Sequence, residues 1–88
     1  MRIDKYLQVS RIIKRRAVAK EIIEKNRVQI NEKIAKPATD VEVGDLVKIK
    51  FGDVQLTIKI LDISEKVKKE SANEMYEIIK REESEKNE

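Results

Sequence analysis

The spacing of apolar residues along the chain predicts two short helices near its start. Ile3 and Leu7 lie four residues apart, which places them on one face of a short helix that ends near Ser10. A second run at helical spacing predicts a helix over about 14–25. Its apolar stripe consists of Ala17, Val18, Ile22 and Ile23. Asn26 follows that stripe, and because Asn tolerates a left-handed backbone, we expect the helix to end there.

Strict alternation of apolar and polar residues then predicts a small, mainly antiparallel sheet. Val28 and Ile30 belong to its first strand, and Pro37 ends the short run after it because proline cannot donate to a strand ladder. The clearest element is a hairpin over residues 46–60, with its turn at Gly52.

The last part of the chain returns to a helical pattern. Ser71 and Glu74 have the spacing of a capping box, and further apolar residues follow at helical intervals. These apolar residues are Ala72, Met75, Ile78 and Ile79. We therefore expect an α+β fold with two N-terminal helices packed on a small, mainly antiparallel sheet, plus a C-terminal helix. We divide the chain into a domain over 1–62 and a C-terminal helical tail over 63–88.

Composition narrows the class of protein. The 88 residues are 42% charged and 3% aromatic, with no Cys and no His. That length suits one small domain with a small core. Disulfides and metal sites built from thiolate or imidazole are excluded, and we expect no metal and no cofactor. No apolar run reaches the length of a membrane span or a signal peptide, so we expect a cytoplasmic protein.

Charge is distributed unevenly along the chain. Residues 1–60 carry fourteen Lys and Arg against eight Asp and Glu, and residues 61–88 carry six against nine. The net charge of +3 therefore hides a body of +6 and an acidic tail of −3.

An acid-free basic stretch stands out within the body. Between Lys5 and Lys20 there are six basic residues and no acidic one. Like charges on neighbouring helical turns repel, so such a stretch is typical of a surface that binds a polyanion. A solvated helix face is the alternative interpretation. The scarcity of aromatic residues disfavours a single-strand binder that works by stacking, and favours folded RNA recognised by shape and phosphate.

Two further features remain open at this level. Asp4 is either the N-cap of the first helix or an ion-pair partner that orients Arg2 or a neighbouring arginine. Three lysines form a second, weaker basic cluster before the predicted C-terminal helix. These are Lys66, Lys68 and Lys69.

The chain resembles the alpha-L RNA-binding motif, the domain first named for ribosomal small-subunit protein S-four. The resemblance covers roughly residues 1–60. It rests on Arg2-Ile3-Asp4-Lys5-Tyr6-Leu7, Arg11, Lys14-Arg15-Arg16-Ala17-Val18-Ala19, Ile23, Val28-Gln29-Ile30-Asn31, Lys36-Pro37-Ala38-Thr39 and Val43-Gly44-Asp45. Asn26 and the turn after Asn31 depart from the family, which often has Gly after the second helix and Asn-Gly in the turn.

Within that superfamily the chain is most similar to the RqcP family of stand-alone bacterial proteins, over its whole length. A related family, the fifteen-kilodalton ribosome-associated heat-shock protein, typically has a longer basic C-terminal extension. The short acidic tail here favours the RqcP family.

The resemblance implies a specific function. It implies a factor of ribosome-associated quality control that binds large ribosomal subunits, through their rRNA, while they still hold peptidyl-tRNA. It also implies action beside a factor that recruits alanyl-tRNA, so that an alanine tail is added to the nascent chain. We expect no membrane partner and a monomer off the ribosome. The predicted RNA contacts are Arg2, Lys5, Arg11, Lys14, Arg15, Arg16, Lys20 and Lys36.

Other functions stay open at this stage. A role in recycling large subunits, as in the related heat-shock protein, and generic binding of structured RNA are the nearest alternatives. A DNA reader of the helix-turn-helix type or a protein-interaction module is conceivable from the two helices. Enzymatic activity is not expected, because there is no Gly-rich phosphate loop, no His or Cys, and no plausible pair of carboxylates in a pocket.

Overall fold

The computed structural model describes residues 1–65 and 69–83. Two helices come first, α1 over Ile3–Val9 and α2 over Arg16–Glu24. Strands follow as β1 Val28–Ile30, β2 Lys33–Ile34, β3 Leu46–Phe51 and β4 Val54–Ile60, then a 3-10 helix over Lys69–Met75 and strand β5 over Tyr76–Glu83.

The five strands form one sheet in the order β2-β1-β3-β4-β5, and every neighbouring pair is antiparallel. The predicted α+β class, with two N-terminal helices and an antiparallel sheet, is confirmed. Asn26 has φ 61°, so it ends α2 in the left-handed conformation that the sequence predicts. Asn31 and Glu32 are also left-handed, with φ 50° and 71°, as a two-residue turn between β1 and β2 requires.

The core lies between the helices and one face of the sheet. Alternate residues of β3 and β4 are buried there, which is the period that an antiparallel sheet with one solvated face requires. Its fully buried members include Ile3, Tyr6, Leu7, Ala19, Ile23, Val28, Val47, Ile49, Ile58 and Ile60. The predicted stripe of α2 is right at Ile22 and Ile23, which pack on the core, and wrong at Ala17 and Val18, which are exposed. Ala19, which the prediction left out, is buried in their place.

The predicted C-terminal helix is wrong. The segment after the 3-10 helix is β5, which pairs with β4 from Tyr76 opposite Ile60 to Glu83 opposite Val54. Pairing satisfies the backbone groups of β4, which would otherwise form an exposed edge. The register shifts between Thr57 and Ile58, so that Ile79 is an extra residue in a bulge. This extra residue breaks the alternation that is typical of a strand. Together with Ala72 and Met75, the adjacent Ile78 and Ile79 then have the spacing of a helix.

Some sequence-based predictions fall outside the described residues. Lys66 and Lys68 of the weaker basic cluster lie there, as do residues 84–88 at the polar end of the chain. In the part of the chain that the structure describes, no helix has the length and apolar character needed to cross a membrane.

Candidate RNA-binding surface

A buried carboxylate joins two arginines that are distant in sequence. The Asp4 side chain is only 2% exposed. Arg2 donates to its Oδ2 at 3.1 Å and Arg16 donates to its Oδ1 at 3.4 Å. The backbone N–H of Lys5 also donates to Oδ1, at 2.7 Å. This Asp4 cluster (Arg2, Asp4 and Arg16) therefore links the start of α1 to the start of α2.

The Asp4 cluster fixes the direction of both arginines while leaving them accessible. A buried carboxylate is stable only with compensating charge and hydrogen bonds, and the two guanidinium groups supply these. Their side chains remain 47% and 43% exposed, so each retains N–H donors that can face a ligand. Of the two interpretations left open for Asp4, the ion-pair role is confirmed. The N-cap position of α1 is occupied by Arg2, without a side-chain cap.

The connection between the helices differs from the prediction. The sequence predicts a helix from about residue 14, but α2 begins at Arg16, so that Lys14 and Arg15 precede it. Arg16 and Lys20 lie on successive turns of α2, as their spacing of four residues requires. Arg11 has φ 67°, a left-handed conformation that residues with a side chain rarely adopt. Two backbone hydrogen bonds hold this bend, from Arg11 N–H to the Gln8 carbonyl and from Ile13 N–H to the Leu7 carbonyl, both at 3.0 Å.

The N-terminal end of α2 is unusually cationic. Arg15 is its N-cap residue, Arg16 is its first residue, and no acidic residue lies in its first turn. The start of a helix already carries partial positive charge from free N–H groups, so cations there are unfavourable until an anion binds. Phosphate groups are among the anions that helix starts bind in proteins.

Most of the predicted RNA contacts in this region have no acidic partner. Within residues 1–65 and 69–83, the side chains of Arg11, Lys14, Arg15 and Lys20 make no ion pair, and all four are exposed. Lys5 differs, because its Nζ lies 2.7 Å from Oε1 of Glu65. This hydrogen bond lowers the pKa of Glu65. An RNA phosphate at Lys5 would have to displace that carboxylate.

Lys36 reaches the same end of α1 through its loop. The N–H of Ile3 donates to the Thr39 carbonyl at 2.8 Å, and the N–H of Asp4 donates to the Pro37 carbonyl at 3.4 Å. The loop that carries Lys36 therefore packs beside the start of α1, where Arg2 lies. The RNA role of Lys36 remains a prediction.

Sequence reasoning missed the C-terminal contribution to this region. Glu70, Asn73 and Tyr76 line a groove together with Ser10, Arg11 and Lys14. The helical interpretation of the tail gave no reason to place these residues beside the basic connection. Among the described residues, no group of three or more Asp or Glu side chains is arranged to hold a metal ion.

This geometry is that of a small RNA-binding domain, and the comparisons with known proteins agree. The model of the S4 domain family matches residues 1–47. A protein of Streptococcus pneumoniae named RQC P-site tRNA stabilizing factor is 54% identical over 79 residues, which cover 90% of this chain and 90% of that protein. The chain belongs to the S4 domain family and, within it, to the family of RQC P-site tRNA stabilizing factors, which corresponds to the resemblance drawn from the sequence.

A second group of relatives is more distant. A heat shock protein 15 homolog of Haemophilus influenzae is 38% identical over 65 residues, and the match covers 74% of this chain but only 50% of that protein. Among solved structures, trimeric Vibrio cholerae heat shock protein 15 superposes with a TM-score of 0.81 at 32% identity. That match covers 89% of this chain and 80% of the other.

Proposed function

We propose that this chain is a non-catalytic RNA-binding factor of ribosome-associated quality control. It binds large ribosomal subunits that still carry peptidyl-tRNA, contacts both rRNA and that tRNA, and supports addition of a C-terminal alanine tail to the nascent chain. It acts in the cytoplasm, as a monomer off the ribosome, beside a factor that recruits alanyl-tRNA. The names of its relatives support the quality-control setting and the tRNA contact.

The observation that carries this proposal is the Asp4 cluster beside cations without acidic partners. Two arginines are held in fixed directions by one buried carboxylate. Around them, and within residues 1–65 and 69–83, the exposed cations Arg11, Lys14, Arg15 and Lys20 form no ion pair, and the first turn of α2 holds no acid. Lys5, which pairs with Glu65, is the exception. Phosphates of a folded RNA supply the missing negative charge, and binding then depends steeply on salt, with a log–log slope of about −0.7 to −0.9 per phosphate contact.

The first experiment is affinity purification of the tagged full chain from cells, followed by identification of the ribosomal species that accompany it. Large subunits with peptidyl-tRNA and without small subunits are the expected result, and alanine tailing of stalled nascent chains is the next assay. Recovery of no ribosomal RNA would refute the proposal. In the same purification, Arg16→Ala should reduce recovery more than Lys59→Ala, which alters an exposed lysine of β4.

Recycling of large subunits is the second candidate function. The structural similarity to heat shock protein 15 favours it, whereas the match to only half of the Haemophilus protein disfavours it. Recovery of free large subunits without tRNA would support recycling. Equal binding to any structured RNA, without ribosomal preference, would reduce the function to generic RNA binding. A duplex DNA that competes as well as tRNA at matched salt would instead indicate a DNA reader.

A further inference from the structure

A groove separates the basic connection between α1 and α2 from the C-terminal segment. Its volume is about 440 Å³. This lies within the range of about 300–1,000 Å³ that is typical of small-molecule sites. One wall consists of Ser10, Arg11 and Lys14, and the other of Glu70, Ala72, Asn73 and Tyr76. None of these residues belongs to the Asp4 cluster.

The first wall presents cations from an ordered backbone. Ser10 is buried, and its hydroxyl donates to the Leu7 carbonyl at 3.3 Å. Arg11 and Lys14 are exposed, and neither forms an ion pair or a side-chain hydrogen bond with any other described residue. Both cations are therefore available to a phosphate group.

The second wall is attached firmly to the core. The hydroxyl of Tyr6 donates to the carbonyl of Met75 at 2.8 Å, in a fully buried position. Tyr76, the next residue, pairs with Ile60 of β4 and packs against the core while remaining partly exposed. The end of the 3-10 helix is thus fixed relative to α1, and the width of the groove is fixed with it.

The second wall also differs from the first in its chemistry. Glu70 and Asn73 are exposed, and neither side chain has a hydrogen-bond partner among the described residues. A carboxylate accepts hydrogen bonds from ribose hydroxyls, and an amide both donates and accepts at a base edge. The aromatic ring of Tyr76 adds a surface on which a base can stack.

The combination favours one class of ligand. A carboxylate opposite two cations disfavours an entirely anionic ligand, such as inorganic phosphate or an acidic peptide, because Glu70 would repel it. A nucleotide within RNA combines an anionic phosphate on its 5′ side with two neutral groups, the 2′-hydroxyl of its ribose and its base. We propose that the groove binds one ribonucleotide of the RNA that this factor recognises, which rests on the proposed function. The phosphate lies at Arg11 and Lys14, and the ribose or base lies at Glu70, Asn73 and Tyr76.

Amide NMR of the full chain tests the site directly, with adenosine 5′-monophosphate, 2′-deoxyadenosine 5′-monophosphate and inorganic phosphate as probes. We expect the ribonucleotide to shift the amides of Ser10, Arg11 and Asn73, and to bind several-fold more tightly than the deoxynucleotide. No shift of these amides at millimolar ribonucleotide, or equal shifts with phosphate, would overturn the proposal.

Variants then test whether RNA uses the groove. The double variant Glu70→Gln with Asn73→Ala should reduce the preference for an RNA strand over a DNA strand of the same sequence by about tenfold, since hydrogen bonds to charged groups are lost. The lost charge affects both strands equally, so the ratio isolates the hydroxyl contact. Glu42→Gln, an exposed substitution outside the groove lining, is the matched control and should leave the ratio unchanged.

The outcomes separate this proposal from the proposed function. If Arg16→Ala weakens RNA binding while the double variant keeps the full ribose preference, the groove proposal is wrong and the proposed function stands. If the wild-type chain binds neither tRNA nor large subunits, the proposed function fails. The nucleotide titration still decides in that case whether the groove is a ribonucleotide site.

Discussion

Lys and Arg occur both on strand β5 and on the N-terminal surface, but in different electrostatic surroundings. The N-terminal surface consists of the Asp4 cluster and the cations around it, Lys5, Arg11, Lys14, Arg15 and Lys20. On β5, Lys80 lies 3.1 Å from Glu82, and Arg81 lies 3.5 Å from Glu83, with all four side chains exposed. On the N-terminal surface one buried acid, Asp4, serves two arginines, and most neighbouring cations have no acidic partner in the described part of the chain. The arrangement of acids, more than the number of basic residues, distinguishes a surface suited to a polyanion from an ordinary solvated one.

Removal of Arg16 should have the largest effect on RNA binding. Arg16→Ala deletes a guanidinium group that Asp4 holds in place, so we expect about a tenfold loss of affinity for tRNA. The salt slope should also become shallower by about one phosphate contact. Fluorescence anisotropy with labelled tRNA over a range of salt concentrations measures both quantities.

Arg81→Ala is the matched control for that substitution. It removes an arginine whose side chain is 61% exposed and whose acidic partner lies on its own strand. We expect less than about a twofold change, because exposed ion pairs of this kind are worth only about 0–1 kcal/mol and face no ligand. Equal losses for the two variants would mean that the two surfaces do not differ in function.

Asp4→Asn tests whether net charge or the positioning of the arginines has the larger effect on affinity for tRNA. The substitution removes one negative charge beside the proposed RNA-binding surface, so simple attraction predicts tighter binding. Because Asp4 orients both Arg2 and Arg16, we expect the reverse, with affinity for tRNA about fivefold weaker. The free energy of unfolding should also fall, by about 1–3 kcal/mol, since two charge-assisted hydrogen bonds are weakened. Tighter binding would show that the arginines need no positioning.

Most helices, strands and turns of the first 60 residues could be predicted from the sequence, for a physical reason. Their strands alternate strictly, their turns are short, and Asn26 and Asn31 are residues that tolerate positive φ. The Asp4 cluster was harder to predict, because sequence spacing alone does not bring Arg16 to a carboxylate twelve positions earlier. The sequence predicts Arg16 as an RNA contact and leaves Asp4 as an N-cap or an ion-pair partner. The packing of α1 against α2 brings the two side chains together.

The C-terminal segment could not be predicted in the same way. Its bulge at Ile79 disrupts the alternation of β5, and its pairing partner β4 is fixed by long-range contacts. The local spacing of apolar residues therefore predicts a helix, and a helix gives no indication of the second wall of the groove. The left-handed Arg11 was equally hidden, because nothing in residue type marks it.

Tyr6→Phe tests how strongly the two regions are joined. The hydroxyl of Tyr6 donates to the Met75 carbonyl, which also accepts from the N–H groups of Leu61 and Asp62. Because the carbonyl keeps those two donors, we expect a loss of only about 1 kcal/mol in the free energy of unfolding. Urea denaturation at neutral pH measures it, and an unchanged stability would mean that this bond contributes nothing.

The same tyrosine predicts a pH dependence. Burial, together with the nearby Tyr76 and Asp62, raises the pKa of Tyr6 in the folded protein. The folded state therefore holds the phenolic proton more tightly than the unfolded state, whose pKa is about 10. This contribution is fully present below pH about 10 and is lost as the pH rises above that value. Tyr6→Phe should flatten the decline in stability over this range relative to wild type, and an identical decline in both proteins would contradict the assignment.

The smallest expected effect on affinity for tRNA comes from Glu65, the acid that pairs with Lys5. Glu65 accepts a hydrogen bond from Lys5 at 2.7 Å, and this bond lowers the pKa of Glu65. Glu65→Gln weakens the competition for Lys5, and we expect affinity for tRNA to rise about twofold.

Glu82→Gln is the matched control, since it releases Lys80 on β5 and should leave affinity unchanged. If both substitutions raise affinity equally, general electrostatic attraction explains the gain and Lys5 makes no specific contact. A gain confined to Glu65→Gln would place Lys5 on the RNA-binding surface and give the acidic residue after β4 a measurable part in tuning it.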